Sequence, residues 1–197
     1  MKSHKATALV LAGCFLICAT AFGQGSSQSS SAAPTIASVL DRQLSGIEKE
    51  IMGAADAVPE DKYDFSPATG NIPGDFKTPN PVRTMGQQFK HIGDALEAYS
   101  DLIMGQKPPQ SDDENGPKNI KSKSDVVNYL KAEFTKAHSA INTINQQNVV
   151  EPLGGGQRTR LALAVSMVGH SNNHYGQIIE YLRMNGMVPP ESQPTKK

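Results

Sequence analysis

Apolar residues return along most of this chain at steps of three and four, the spacing that puts them on one face of an α-helix. The first run holds Ile36, Val39, Leu40, Leu44, Ile47, Ile51 and Met52; it opens at Pro34-Thr35 and ends near Val58-Pro59. A second, with Met85, Phe89, Ile92, Leu96, Tyr99 and Ile103, predicts a helix from about Val82 to Met104, closed by Gly105. Val127, Leu130, Phe134, Ala137, Ile141 and Ile144 mark a third, for which Ser124 is the expected cap. The fourth starts near Thr159, after Gly154-Gly155-Gly156, and runs to Asn185, where Gly186 and then Pro189-Pro190 stop it. No segment carries a strand signal.

Four amphipathic helices around one core make an all-α fold, a four-helix bundle. The connections constrain its topology. Glu60 to Pro81 is rich in proline and reads as a long, functional loop. Gln106 to Lys121 carries Pro108-Pro109 and the charged run Asp112 to Pro117, and reads as an exposed connection. Extended, it spans more than about 50 Å, whereas a helix of about 22 residues is roughly 33 Å long, so helices 2 and 3 can run parallel, joined by a long crossover.

The 197 residues suit one domain with attachments. Met1 to Lys5 is basic, Ala6 to Ala21 is apolar or small, and Ala19-Thr20-Ala21 offers a cleavage site, so residues 1–23 read as a signal peptide and the protein as exported, periplasmic or secreted. The alternative is Leu11-Ala12-Gly13-Cys14, which resembles a lipobox and would make a lipoprotein anchored through Cys14, the one expected route to a membrane. Residues 24–33 form a Ser/Gln-rich flexible tether, 34–190 the bundle, and 191–197 a disordered tail. Both cysteines, Cys14 and Cys18, fall in the leader, leaving the bundle without thiolate or disulfide chemistry. Of 19 basic residues two, Lys2 and Lys5, also lie there, against 19 acidic residues beyond it; the resulting slight negative balance argues against nucleic acid and for a small-molecule substrate or ligand, with a homodimer left open.

The candidate chemistry is histidine. His170 and His174 are one turn apart on the face that also carries Leu163, Met167, Ile178 and Tyr181, so both imidazoles look into the core, spaced to share one metal ion. Ser171 follows His170 where a zincin would have Glu, so the built-in base of that protease class is missing. His91 is the natural third ligand, since Gln88, Ala95, Ala98 and Leu102 place its face beside the apolar stripe of helix 2. Three imidazoles leave a coordination position open, and a bound ion can polarise an oxygen there. Zinc, nickel, iron and copper all suit imidazole ligands. No catalytic residue is identified; Asp94 and Gln177 are candidates to orient the imidazoles from behind. His138, at the flank of its stripe, reads as a partly exposed residue rather than a ligand, Tyr175 and Arg183 as structural, and Met52, Met85, Met104, Met167 and Met184 as core filler.

Val82-Arg83-Thr84-Met85-Gly86 through His91-Ile92, with His170, His174-Tyr175-Gly176-Gln177 and Tyr181 to Pro190, resembles the DinB/YfiT-like metalloprotein family. The resemblance implies a four-helix bundle with a long crossover and an open three-histidine site, which in various members takes nickel, zinc or other divalent ions. It also implies a metal-dependent hydrolase or group transferase acting on a small molecule. The leader sets this chain apart from the members that use cytoplasmic thiols. A non-catalytic periplasmic metal- or ligand-binding module is the alternative.

Overall fold

Each helix starts where a hydroxyl side chain can satisfy backbone N–H groups that have no partner within the helix. The computed structural model describes residues 33–68, 82–109 and 114–194. Helix α1 spans Ile36–Ala57, α2 Met85–Ile103, α3 Lys123–Ile141 and α4 Arg160–Met184, with short 3-10 turns at Glu60–Lys62 and Pro190–Ser192. Thr35, Thr84, Ser122 and Thr159 are the caps, the first three in reciprocal capping boxes. The cap of α3 is therefore Ser122, not Ser124. Asp125 lies three residues after Ser122 and returns a bond to its backbone N–H, a reciprocity that Ser124 lacks.

The helices form a bundle in which α1 touches α3 and α4, and α2 touches α3 and α4, so α1 lies diagonally opposite α2. Side-chain pairs give the directions. His138 near the end of α3 meets Asp41 near the start of α1, and Lys123 at the start of α3 caps the last carbonyls of α1 at Asp56 and Val58, so these two are antiparallel. Tyr129 pairs with Asp94 and Lys136 with Asp101, so α2 and α3 run parallel, as the length of the crossover predicts. Gln88 meets Gln177, and Arg160 reaches the Ile103 carbonyl, so α2 and α4 are antiparallel.

Leu44, Ile51, Phe89, Ile92, Leu96, Leu130, Phe134, Met167, Ile178 and Leu182 fill the centre. At about 1.5–3 kcal/mol for each large apolar side chain removed from water, this core is the main term holding the helices together. Two stripe-edge residues assigned to it, Val39 and Met184, are exposed. The described part of the crossover is mostly exposed, as expected, but it is seated on α2 at one point. Gly116, buried at φ +81°, lies so close to Lys90 that a Cβ would collide with it, and the Lys90 ammonium donates to the Pro117 and Ile120 carbonyls. Among the described residues the only β-type pairing is an isolated bridge between Pro152 and Thr159, and no helix is long and apolar enough to cross a membrane. The leader and tether assigned to residues 1–33, apart from Ala33, lie outside the described residues, as do 69–81 of the first long loop and the last three residues of the tail.

Candidate metal centre

The antiparallel packing of α2 on α4 brings His91 against the His170 and His174 pair. Ring centroids are 5.0 Å apart for His91 and His170, 4.5 Å for His91 and His174, and 4.5 Å for His170 and His174. One nitrogen from each ring lies within 4.8 Å of the other two. His174 is buried and the others are half-buried. Metal–imidazole bonds of about 2.0–2.1 Å would draw the rings slightly inward.

Electrostatically the three rings are held neutral. Burial is the first cause for each, and it pushes His174 down to about 3, with the neighbouring His170, His91 and Arg83 acting in the same direction. His91 and His170 are also lowered, by burial and then by Arg83 and by His91 respectively; Asp94 and the Glu114 carbonyl pull His91 part of the way back. Two ring nitrogens, His91 Nδ1 and His170 Nε2, are buried without any hydrogen-bond partner. Leaving such an atom unsatisfied costs about 1–3 kcal/mol, so the site is built for a partner that accepts lone pairs. The donor set fits a divalent ion: three neutral nitrogens with convergent positions, two of them otherwise orphaned.

Asp94 and Gln177, the two candidates for orienting the imidazoles, both come close to this centre. Asp94 lines the cleft beside His91 and accepts from the Tyr129 hydroxyl at 2.9 Å. Gln177 stands one residue removed: its Oε1 accepts from Gln88 Nε2 at 2.8 Å, and Gln88 Oε1 faces His174 Nδ1 at 2.8 Å. The side chain in contact with His174 is thus Gln88, a polar residue only 2 % exposed. A glutamine among Met85, Phe89 and Ile92, one turn before His91, is the signal in the sequence that points to it.

A cleft of about 290 Å³ opens on the His91 and His170 side and is walled by Asp94, Ala95, Ala98, Tyr99 and Glu114. Small side chains at 95 and 98 make its floor, and Tyr99 stands edge-on to His170 at 6.1 Å. Glu114 reaches it from the crossover, paired at 3.5 Å with Arg83. His138 is remote, between Asp41 and Glu48 on the opposite seam. Tyr175 has its hydroxyl pushed up to about 12 by burial and then by Glu50 and Glu191, on the α1 side, and Arg183 pairs with Glu180 at the surface.

The sequence model of the DinB superfamily matches residues 43–178, which takes in α2 and α3, most of α1 and α4, and the three histidines. Among solved structures the chain is similar to a conserved protein from Enterococcus faecalis, with a TM-score of 0.60 and 13% identity, over 77% of this chain and 98% of that one. At that identity the likeness speaks for the fold. No curated protein matches the chain.

Proposed function

The chain belongs to the DinB superfamily, and we propose that it is an exported divalent-metal protein that uses His91, His170 and His174 as ligands and works as a metal-dependent enzyme on a small molecule. The observation that carries the metal is the pair of buried, partnerless nitrogens, His91 Nδ1 and His170 Nε2, within reach of a third imidazole. A divalent ion held there supplies Lewis acidity toward a substrate oxygen, the chemistry shared by hydrolysis and group transfer. An all-imidazole set suits zinc or nickel, and also iron or copper.

The chain's own groups support an enzyme over a passive binding module. His174 is backed by Gln88 on the closed side, so a small molecule enters from the cleft, where it meets Asp94 and Glu114. Asp94 is the carboxylate best placed to take up a proton, because it lies on a helix next to His91 rather than on the crossover. Ala95, Ala98 and Tyr99 offer apolar surface to the substrate body and limit its size.

Metal analysis tests the site. Protein made without its leader and dialysed against a weak chelator should keep about one divalent ion per chain. If a His91→Ala/His174→Ala variant keeps as much as wild type, the site is wrong. Export rests on the basic start, apolar run and small-residue exit of residues 1–23. Cell fractionation with intact-mass measurement separates cleavage near Ala21 from lipidation at Cys14, and full-length protein in the cytoplasm would refute both.

A further inference from the structure

Imidazole has two nitrogens, and which one is free to bind is decided by what holds the other. At His174 the holder is Gln88, whose amide could in principle face the ring with either its oxygen or its NH₂ group. The surrounding bonds remove that ambiguity. The Arg83 backbone carbonyl can only accept, and the Tyr181 hydroxyl lies 3.0 Å from it, so the single hydroxyl proton is spent there. What Tyr181 turns toward Gln88, at 3.4 Å, is therefore a lone pair, and the Gln88 atom facing it must be the NH₂ nitrogen. The same nitrogen donates to Gln177 Oε1 at 2.8 Å. That leaves Gln88 Oε1, an acceptor, against His174 Nδ1 at 2.8 Å. His174 Nδ1 must then carry the proton.

We propose that Gln88 is a positioning residue: anchored through Tyr181 to the Arg83 carbonyl, it fixes His174 in its Nδ1–H form and presents Nε2 to the centre. The other two rings complete a mixed set. His170 offers its unpartnered Nε2. His91 offers its unpartnered Nδ1. The uncharged amide has a further consequence. A carboxylate in the place of Gln88 would stabilise a protonated His174, whereas the amide orients the ring and leaves it neutral.

The tautomer belongs to the apo protein and is independent of any metal; only its effect on affinity rests on the ligand assignment made above. In apo protein carrying ¹⁵N-histidine, two-bond ¹H–¹⁵N correlation should show His174 protonated at Nδ1. Gln88→Met, similar in length but without an acceptor, should move the proton to Nε2 and weaken zinc binding by about 10–100-fold. Gln88→Glu should restore the Nδ1–H form while raising the pH at which His174 protonates, a change that a purely packing role would not produce. If Gln88→Met does not fold, Tyr181→Phe leaves the amide in place but removes its anchor, and the His174 signals should then report a mixture of tautomers. A wild type protonated at Nε2, or Nδ1–H persisting unchanged in both Gln88→Met and Tyr181→Phe, overturns the proposal. A wild type with the expected tautomer that binds no zinc would instead overturn the metal assignment and leave this one standing.

Discussion

His174 and His138 sit on opposite seams of one bundle and have opposite fates. On the α2–α4 seam, His174 packs against two other imidazoles and a neutral glutamine, with the Arg83 cation nearby, and nothing there rewards a proton. On the α1–α3 seam, burial also disfavours the charged form of His138, but hydrogen bonds from Nδ1 to Asp41 at 2.6 Å and Nε2 to Glu48 at 2.9 Å outweigh it and raise the pKa. Both ring nitrogens of His138 face carboxylates, which only the imidazolium can satisfy as a double donor. Depth of burial therefore does not decide the charge of a histidine in this fold; the neighbours on the facing helix do. One seam keeps lone pairs that could hold a metal ion and the other keeps a proton for the fold.

The largest expected effect would come from emptying the first seam of ligands. His91→Ala/His174→Ala should lower zinc affinity at least about 10³-fold, since two of three coordinate bonds are gone, while His138→Ala should leave it unchanged. Calorimetric titration at pH 7.5 checks both. Equal losses in the two variants would erase the distinction between the seams.

Acid gives the next largest contrast. The unfolded chain takes up protons near pH 6.5, but folded His174 resists them down to about 3, so folded protein binds fewer protons and the apo bundle loses stability as pH falls below 6.5. Metal adds about 2.7 kcal/mol when free ion is 100 times Kd, and because all three imidazoles are lowered this increment should hold to lower pH than ordinary imidazoles would allow. Melting curves with and without chelator from pH 8 to pH 5 test this. The chelated protein should stay helical at pH 7.5, since the apolar core is independent of the ion.

How far these seams could be read from sequence follows from the range over which each contact acts. The helices were legible because their stripes and caps are local; Thr35, Thr84 and Thr159 stand within a residue or two of the expected starts. His170 and His174 were legible as one-turn neighbours on an inward face, and His91 because it borders the stripe of α2. The role of Gln88 was not, because it depends on the register that sets residue 88 opposite 177, a distance of 89 positions along the chain. Asp41 and Glu48 were hidden for the same reason, lying 97 and 90 positions from His138. Glu114 was read as part of an exposed connection and is exposed, but nothing in a run of acids, Asn, Gly and Pro reveals that Gly116 seats the chain on α2 and brings Glu114 to the cleft.

A smaller effect is expected where α2 meets α3 beside the cleft. Tyr129 reaches Asp94 by lying flat over Gly93, so closely that a Cβ there would overlap the ring. Gly93→Ala gains helix propensity of about 1 kcal/mol but must displace the ring, and a net destabilisation of about 1–3 kcal/mol is expected from the overpacking. Urea unfolding measures it. A stabilised variant would mean that Tyr129 swings away freely and does not hold Asp94 in the cleft wall.

The smallest and most discriminating effect belongs to His138. Its folded pKa lies above the unfolded 6.5, so its contribution is fully present below pH 6.5 and fades as pH rises through the folded value. His138→Gln keeps size and one hydrogen bond but cannot carry the charge. The pair is about a quarter to a third exposed, between the regimes of surface and buried ion pairs, so the loss at pH 5.5 should be about 1–2 kcal/mol. As pH rises through the folded value wild type loses its proton as well, and the difference should shrink toward zero. The sign is opposite to that of the triad: acid strengthens this seam while it weakens the other. If the difference between wild type and His138→Gln is the same at pH 5.5 and pH 9, the imidazolium does not clamp α3 to α1, and the contrast between the two seams reduces to packing alone.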